Sequence, residues 1–368
     1  MEIASQSGQV RVKGGSNAGL PQSGLPGRRD SRMMGAMALF SEGRTVNALR
    51  LFQSVAGAIL GVCAGFGMTA HAQAPRCPAA ASVPDKARMT QMFQTAPDRG
   101  FLWKVTKDGH SSWLYGTLHV AKQNWLLPGP LTRAAILHSS EVALELDLNA
   151  PDTATTLRQP EDPARWAHLV QSGRKAKVDA LMDQQCVPSA AFAHVAVGVE
   201  AAGVESLASR QDGYYPDYAV DGVLQGMAGS LKKPLIGLET VQMQRDLLIG
   251  PDQADEDAFI DDIVKGVSSG KTQAENRKLT QMWASSDVKR LDRYQDWCDC
   301  LNTAQERRFM SRLLDDRNVG MAEKIAKIHE SGTSLFAAVG SLHMAGPKGL
   351  PALLRKDGFE VQQIVPAL

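Results

Sequence analysis

Two apolar runs in this chain end in the same short pattern of glycine, two residues and histidine: Trp113-Leu114-Tyr115-Gly116-Thr117-Leu118-His119 and Leu335-Phe336-Ala337-Ala338-Val339-Gly340-Ser341-Leu342-His343. Each reads as a buried strand, then a glycine that lets backbone approach closely, then a hydroxyl residue, a leucine and an imidazole where strand gives way to loop. With 8 histidines and 33 glycines in 368 residues, roughly 0.7 such pairs arise by chance, so the context of the pairs carries the argument and their number does not. Two strand ends of this kind can bring two neutral imidazoles to one metal ion.

The surrounding pattern is that of an α/β fold: a central mixed β-sheet flanked by helices, with a large helical insertion between the two Gly-x-x-His strand ends. Phe101-Leu102-Trp103-Lys104-Val105 alternates and leads through Asp108-Gly109 into the first motif strand, which is a hairpin signal. A loop with proline and glycine and a helix over 131–138 follow, then an apolar strand through Glu141 that carries Glu145 and Asp147 at its end. Residues 162–231 are helical in pattern, Lys233-Pro234-Leu235-Ile236-Gly237-Leu238-Glu239 reads as a further buried strand, and helices follow over 242–330. Thr303 and Glu306 have the spacing of a capping box. The second motif strand, a short helix ending at Asp357-Gly358 and a last strand over 359–365 close the chain.

Residues 44–72 combine a basic flank (Arg44, Arg50), an apolar run over 55–68 and the ending Ala70-His71-Ala72, which predicts a signal peptide cut before Gln73 and a periplasmic or secreted product. Gly57, Gly61 and Gly65 also make the small-residue spacing of a membrane anchor, but the run is short for a span; a lipid anchor on Cys63 is the other alternative. The resulting division is a disordered or mis-assigned extension over 1–43, the signal peptide over 44–72, a linker over 73–98, and an α/β domain over 99–368 with its helical insertion at about 155–330. Cys77, Cys186, Cys298 and Cys300 then remain for one or two disulfides; the close spacing of Cys298 and Cys300 favours separate partners over a bond to each other. A formal net charge of +1 gives no electrostatic footprint for nucleic acid.

In an open α/β sheet the carboxyl ends of the strands face the crevice where ligands bind. Four predicted strand ends carry a group suited to metal binding or proton transfer: His119, Glu145, Glu239 and His343. Asp147, two residues after Glu145, shares its side of the strand, so one could ligate while the other orients a histidine. Singly, each has a structural reading: a histidine satisfied by backbone, or a glutamate beside a helix start. Jointly, several ionisable groups at buried strand ends are costly unless they pair or hold a metal. The acidic run from Asp252 to Asp262 lacks the glycine and terminal glutamate of a calcium loop and reads as a solvated helix start. His110, His138, His168, His194 and His329 read as surface or helix-face residues.

Tyr115-Gly116-Thr117-Leu118-His119-Val120, Val142-Ala143-Leu144-Glu145-Leu146-Asp147, Gly237-Leu238-Glu239-Thr240, Asp316-Arg317-Asn318 and Val339-Gly340-Ser341-Leu342-His343-Met344-Ala345-Gly346 together resemble the TraB/GumN family in order and spacing, over about residues 101–365. That family is similar in architecture to the Tiki metalloproteases and more distantly to the erythromycin-esterase and ChaN-like proteins. The resemblance implies that the two motifs and acidic residues converge on a cleft, and for the Tiki branch a metal-dependent proteolysis using manganese or cobalt. Residue by residue it implies a role for His119, His343, Glu145, Glu239, Arg317 and Asn318.

The expectation is therefore an exported metal-dependent hydrolase acting on peptide bonds. His119, His343 and Glu145 are the candidate ligands of a divalent ion (manganese, cobalt or zinc), and Glu145, Glu239, Arg317 and Asn318 the candidate catalytic groups, with spacing leaving open which carboxylate ligates and which accepts the proton. The alternative is a non-catalytic periplasmic protein that binds or sequesters a peptide or small ligand in the same cleft. Neither reading involves nucleic acid or a membrane span after signal cleavage.

Overall fold

The computed structural model describes residues 77–365, so the expected extension and signal peptide lie outside the described residues. The stretch expected as a linker carries a helix, α1 (Lys86–Thr95), capped by Asp85, which accepts from the Arg88 amide. A hairpin of β1 (Phe101–Lys107) and β2 (His110–Thr117) follows, turning through Asp108 and Gly109, both at positive φ, as the Asp-Gly pair predicts. Helix α2 (Pro130–His138) leads to β3 (Glu141–Leu144). Next come α3 (Thr153–Leu157), α4 (Pro163–Gln171), α5 (Arg174–Gln184), α6 (Val197–Leu207) and α7 (Val220–Ser230). The chain returns to the sheet for β4 (Leu235–Gly237) and leaves again for α8 (Val241–Ile249), α9 (Gln253–Ser269), α10 (Lys271–Ser285) and α11 (Val288–Leu291). Helix α12 (Ala304–Met310) starts with the expected Thr303–Glu306 capping box and runs through a π-helical turn at Ser311–Asp315 into α13 (Asp316–Glu330). Strand β5 (Leu335–Gly340), α14 (Leu350–Lys356) and β6 (Glu360–Val365) complete the fold.

The sheet is mixed, in the order β4-β3-β5-β2-β1-β6. Its central members β2, β5, β3 and β4 are mutually parallel, whereas β1 runs antiparallel to both β2 and β6. Parallel strands need crossover connections, and helices supply them on both faces. Tyr115, Phe336, Leu144 and Leu114 are almost wholly buried between those layers. The consequence for function is positional: the carboxyl ends of four adjacent strands share one edge, with Thr117 paired to Gly340 and Leu144 to both Ala338 and Gly237. A second apolar core, built from Leu169, Val178, Met182, Val197 and Ile260, lies in the helical insertion.

Two sequence expectations change here. Cys298 and Cys300 bond to each other: Asp299 takes a left-handed backbone conformation (φ 46°) that folds the three residues tightly enough to bring the two Cα atoms to 5.1 Å, and Cys77 pairs with Cys186. His329, expected as a surface or helix-face residue, lies on α13 with its face turned inward and is fully buried. Its Nε2 donates to the Lys107 carbonyl and its Nδ1 accepts from the Ser112 hydroxyl, while its ring stacks on His110 at 3.7 Å. Among the described residues no helix is long and apolar enough to cross a membrane, and the two disulfides fit an oxidising compartment.

Burial pushes the His329 imidazole below its ordinary value of 6.5. The folded chain therefore resists a proton that the unfolded chain accepts, so the stability from this contact is full above about pH 6.5 and is lost as pH falls below it. In thermal unfolding of the disulfide-intact chain, His329→Gln should lower the melting temperature at pH 8, and the gap between wild type and variant should narrow as pH falls to 5.

Candidate functional site

The shared strand edge brings the four expected groups together. His119 follows β2, His343 sits in the 3-10 turn Ser341–Met344 after β5, and Glu145 and Glu239 follow β3 and β4. Gly340 lies at their meeting point. A Cβ on it would stand 3.2 Å from Glu145 Oε1, 3.5 Å from His119 Nε2 and 3.7 Å from His343 Cδ2, so a side chain there would fill the space the three groups face. Here the first glycine of the second motif has a definite reason: it keeps the floor of the site at backbone level.

Each imidazole is held by its Nδ1. His119 Nδ1 donates to Asp221 Oδ2 at 2.9 Å, and Asp221 Oδ1 in turn accepts from the Thr117 hydroxyl at 2.5 Å. His343 Nδ1 donates to Asn318 Oδ1 at 2.7 Å; the Asn318 amide is itself oriented because its Nδ2 donates to the Lys348 carbonyl at 2.9 Å. Both rings therefore turn Nε2 away from their supports, the arrangement typical of metal-binding histidines. Protein surrounds His119 on most sides, yet 66% of its side chain stays accessible, as befits the floor of an open cleft; His343 is buried. The Asp221 carboxylate raises His119 to about 9, whereas burial lowers His343 to about 4.

Arg317 ties the carboxylates. Its Nε donates to Glu239 Oε1 at 2.8 Å, and Nη2 donates to Glu239 Oε2 at 2.5 Å and to Glu145 Oε2 at 2.6 Å. Gln244 from α8 donates to the same two Oε2 atoms, at 3.2 Å for Glu145 and 3.0 Å for Glu239, and the Gly340 amide donates to Glu145 Oε1 at 2.7 Å. Burial alone would raise the Glu145 carboxyl, but His343, His119, Arg317 and the Gly340 amide outweigh it and hold the group at about 2. Burial likewise works against the Arg317 cation, and the two glutamates reverse that and hold it firmly protonated. Arg317 stands directly after the π-helical turn, which widens the helix by one residue where its side chain must reach the sheet edge.

Asp221 and Gln244 are absent from the sequence reading, Thr117 enters it only as the hydroxyl residue of the first motif, and two expectations are corrected. Asp147 does not orient a histidine: it accepts from Asn149 N in its own turn and from Gln225 Nε2 on α7. The orienting carboxylate is Asp221, on α7, and Thr117 and Gln244 complete the set. Thr117 lay inside the first motif and was legible there; nothing local marks Asp221, which is an ordinary acidic residue in the first turn of a helix. Asn318, expected to face substrate, has both ends of its amide engaged and acts as the support of His343.

The TraB/PrgY/gumN family model matches residues 101–363. The chain belongs to the TraB/PrgY/gumN family. That match spans β1 to β5, the first part of β6 and all the site residues named above. No curated protein and no solved structure matches the chain.

The donor chemistry suits a divalent ion. The site holds three carboxylates (Asp221, Glu145, Glu239) against one guanidinium, which pairs with the two glutamates, so negative charge is in excess when both imidazoles are neutral; His119 Nε2 and the His343 ring edge face the space above Gly340. The spacing is less complete: among the described residues no group of three or more His, Cys, Asp or Glu side chains is placed to hold an ion, because Glu145 is drawn toward Arg317 and the Gly340 amide. His343 Nε2 and Glu145 Oε1 stand 3.9 Å apart.

Removing the guanidinium leaves two buried carboxylates without their counter-charge. Arg317→Ala should cost about 3–5 kcal/mol in urea unfolding at pH 7, with a smaller loss at pH 4, where the carboxyls can take up protons. Equal losses at both pH values would show that packing, not charge, is what Arg317 contributes.

Proposed function

We propose that this chain is an exported, metal-dependent hydrolase that cleaves peptide bonds, with His119 and His343 as the protein's nitrogen ligands. The observation that carries the reading is the pair of imidazoles fixed through Nδ1, one by Asp221 and one by Asn318, with both rings beside Gly340 and a carboxylate between them. A divalent ion held there by His119, His343 and Glu145 would supply Lewis-acid activation of water and of the substrate carbonyl. The chain's own residues do the rest. Asp221 and Asn318 keep each imidazole in the tautomer that offers Nε2. Glu239, buried beside Arg317, is the carboxylate placed to accept a proton when Glu145 serves as ligand. Arg317 pairs with both glutamates and carries the positive charge closest to them, suited to opposing negative charge that develops on a substrate oxygen. Peptide bonds as the substrate follow from the resemblance to the Tiki branch, and export from the sequence pattern over 44–72.

One observation favours a second reading. Both oxygens of Glu145 accept hydrogen bonds, from Gly340 N, Arg317 and Gln244, and a carboxylate so engaged suits a protein that binds a peptide or small ligand without cleaving it.

Chelator-stripped protein reloaded with manganese, cobalt or zinc separates the readings. Elemental analysis should give one ion per chain, lost in the double variant His119→Ala/His343→Ala, and Asp221→Asn should weaken the affinity by about 10- to 100-fold. The loaded protein should cleave members of an unstructured peptide library, and Glu239→Gln should abolish cleavage while leaving the ion bound. Stoichiometric metal in the double alanine variant would sink the assigned ligands; metal and peptide binding with no cleavage would establish the binding protein instead.

A further inference from the structure

The core of the helical insertion contains acids that the cleft does not use. Glu256, in the first turn of α9, is fully buried, and its Oε1 has no hydrogen-bond donor. Its Oε2 lies 3.5 Å from Arg165 Nη1 of α4, a guanidinium that also donates to the Ile249 and Gly250 carbonyls. The neighbour of Glu256 is another carboxyl, Glu161, whose Oε2 accepts from Val197 N at the start of α6 and whose Oε1 accepts from Asp162 N. Two ionised carboxylates cannot hydrogen-bond each other. With one proton between them they can.

Glu200, on α6, repeats the situation. It is fully buried, and neither of its oxygens receives a hydrogen bond. Lys175 Nζ of α5 pairs with Oε2 at 3.2 Å and also donates to Asp179, so one ammonium is divided between two carboxylates. An ionised carboxylate left this way in an apolar core is expensive; a protonated one costs much less.

We propose that the Glu161–Glu256 pair and Glu200 form a pH-sensitive latch in the helical insertion: protonated, they hold α6 against α9 and against the segment that leads into α4, and on losing their protons they drive these elements apart. Independent of any pKa, the latch rests on the complete burial of Glu256 and Glu200, on Glu256 Oε1 without a donor, and on one ammonium shared between Glu200 and Asp179. In agreement with it, burial, together with Glu161, pushes Glu256 up to about 8 against the pull of Arg165, and burial pushes Glu200 up to about 7 against the pull of Lys175. The other charged groups nearby are already engaged. Asp257 is held by His168 and Arg174, and Arg245 of α8 donates to the Gln159 and Pro160 carbonyls. That last contact gives the latch a route to the cleft, since Gln244, the preceding residue, holds Glu145 and Glu239. The latch stands whether or not the cleft is a hydrolase.

The sign of the effect is set by linkage. A carboxyl held above its ordinary value of 4.5 keeps in the folded chain a proton that the unfolded chain releases, so its stabilising share is full below about pH 4.5 and is lost as pH rises toward about 8. Hydrogen exchange of the full, disulfide-intact chain tests this between pH 5 and pH 8.5, after correction for the intrinsic exchange rate. Amides of α6 and α9 should open about tenfold more per pH unit as each acid ionises on opening, while β2 and β5 amides stay unchanged. In Glu256→Gln/Glu200→Gln, where neutral amides replace the acids, that pH dependence should vanish and the two helices should be better protected than wild type at pH 8. Each single variant, compared at pH 5, reports whether the amide fits the site. An unchanged pH slope in a double variant whose protection at pH 5 is native, or slopes equal in the sheet and in α6, would overturn the latch.

Discussion

The contact on which the site depends is the one guanidinium shared by two buried carboxylates. Glu145 and Glu239 end adjacent parallel strands and come within reach of each other at the sheet edge, where neither could remain ionised without a cation. Arg317 supplies that cation from a helix far away in sequence, and Gln244 adds a neutral donor to both. Because Glu145 also takes the Gly340 amide, the same pair fixes the end of β5 and so the position of His343. Charge pairing and strand geometry are thus one constraint: the carboxylates need Arg317, and Arg317 is in place only if the helical insertion has closed over the sheet.

The two histidines reach the cleft in different electrostatic states. His119 is open to solvent and leans on Asp221, whereas His343 is enclosed and leans on the neutral amide of Asn318. A carboxylate support strengthens the basicity of one ring, and an amide support keeps the other neutral. The asymmetry gives one edge of the cleft a ring that can carry charge and the other a ring that resists it. Such a difference is useful to a centre that must both hold a cation and handle a proton.

The helical insertion does more than cover the sheet. It contributes Asp221, Gln244 and Arg317 to the cleft, while its own core contains Glu200 and Glu256. Buried acids without donors are destabilising unless protonated, which is the basis of the latch proposed for this part of the molecule. The disulfide from Cys77 to Cys186 ties the segment before the first strand to the loop after α5, which limits how far the insertion can open.

The amino-acid sequence by itself determined the strands, their two Gly-x-x-His endings, the Asp-Gly hairpin, the capping box, the α/β class and the family, because each rests on local periodicity or on a short motif whose chemistry needs only neighbours. His119, Glu145, Glu239 and His343 were legible for the same reason, whereas Arg317 and Asn318 entered only through the resemblance to the family. Tertiary structure alone decided what those residues do. That Asp221 and not Asp147 supports His119, that Asn318 supports His343, that His329 is buried, and that Cys298 bonds Cys300 all depend on which helix crosses which strand and on a single left-handed residue at Asp299. Hydrogen bonds act over about 3 Å, and sequence separations of a hundred residues carry no information about such distances until the chain has packed.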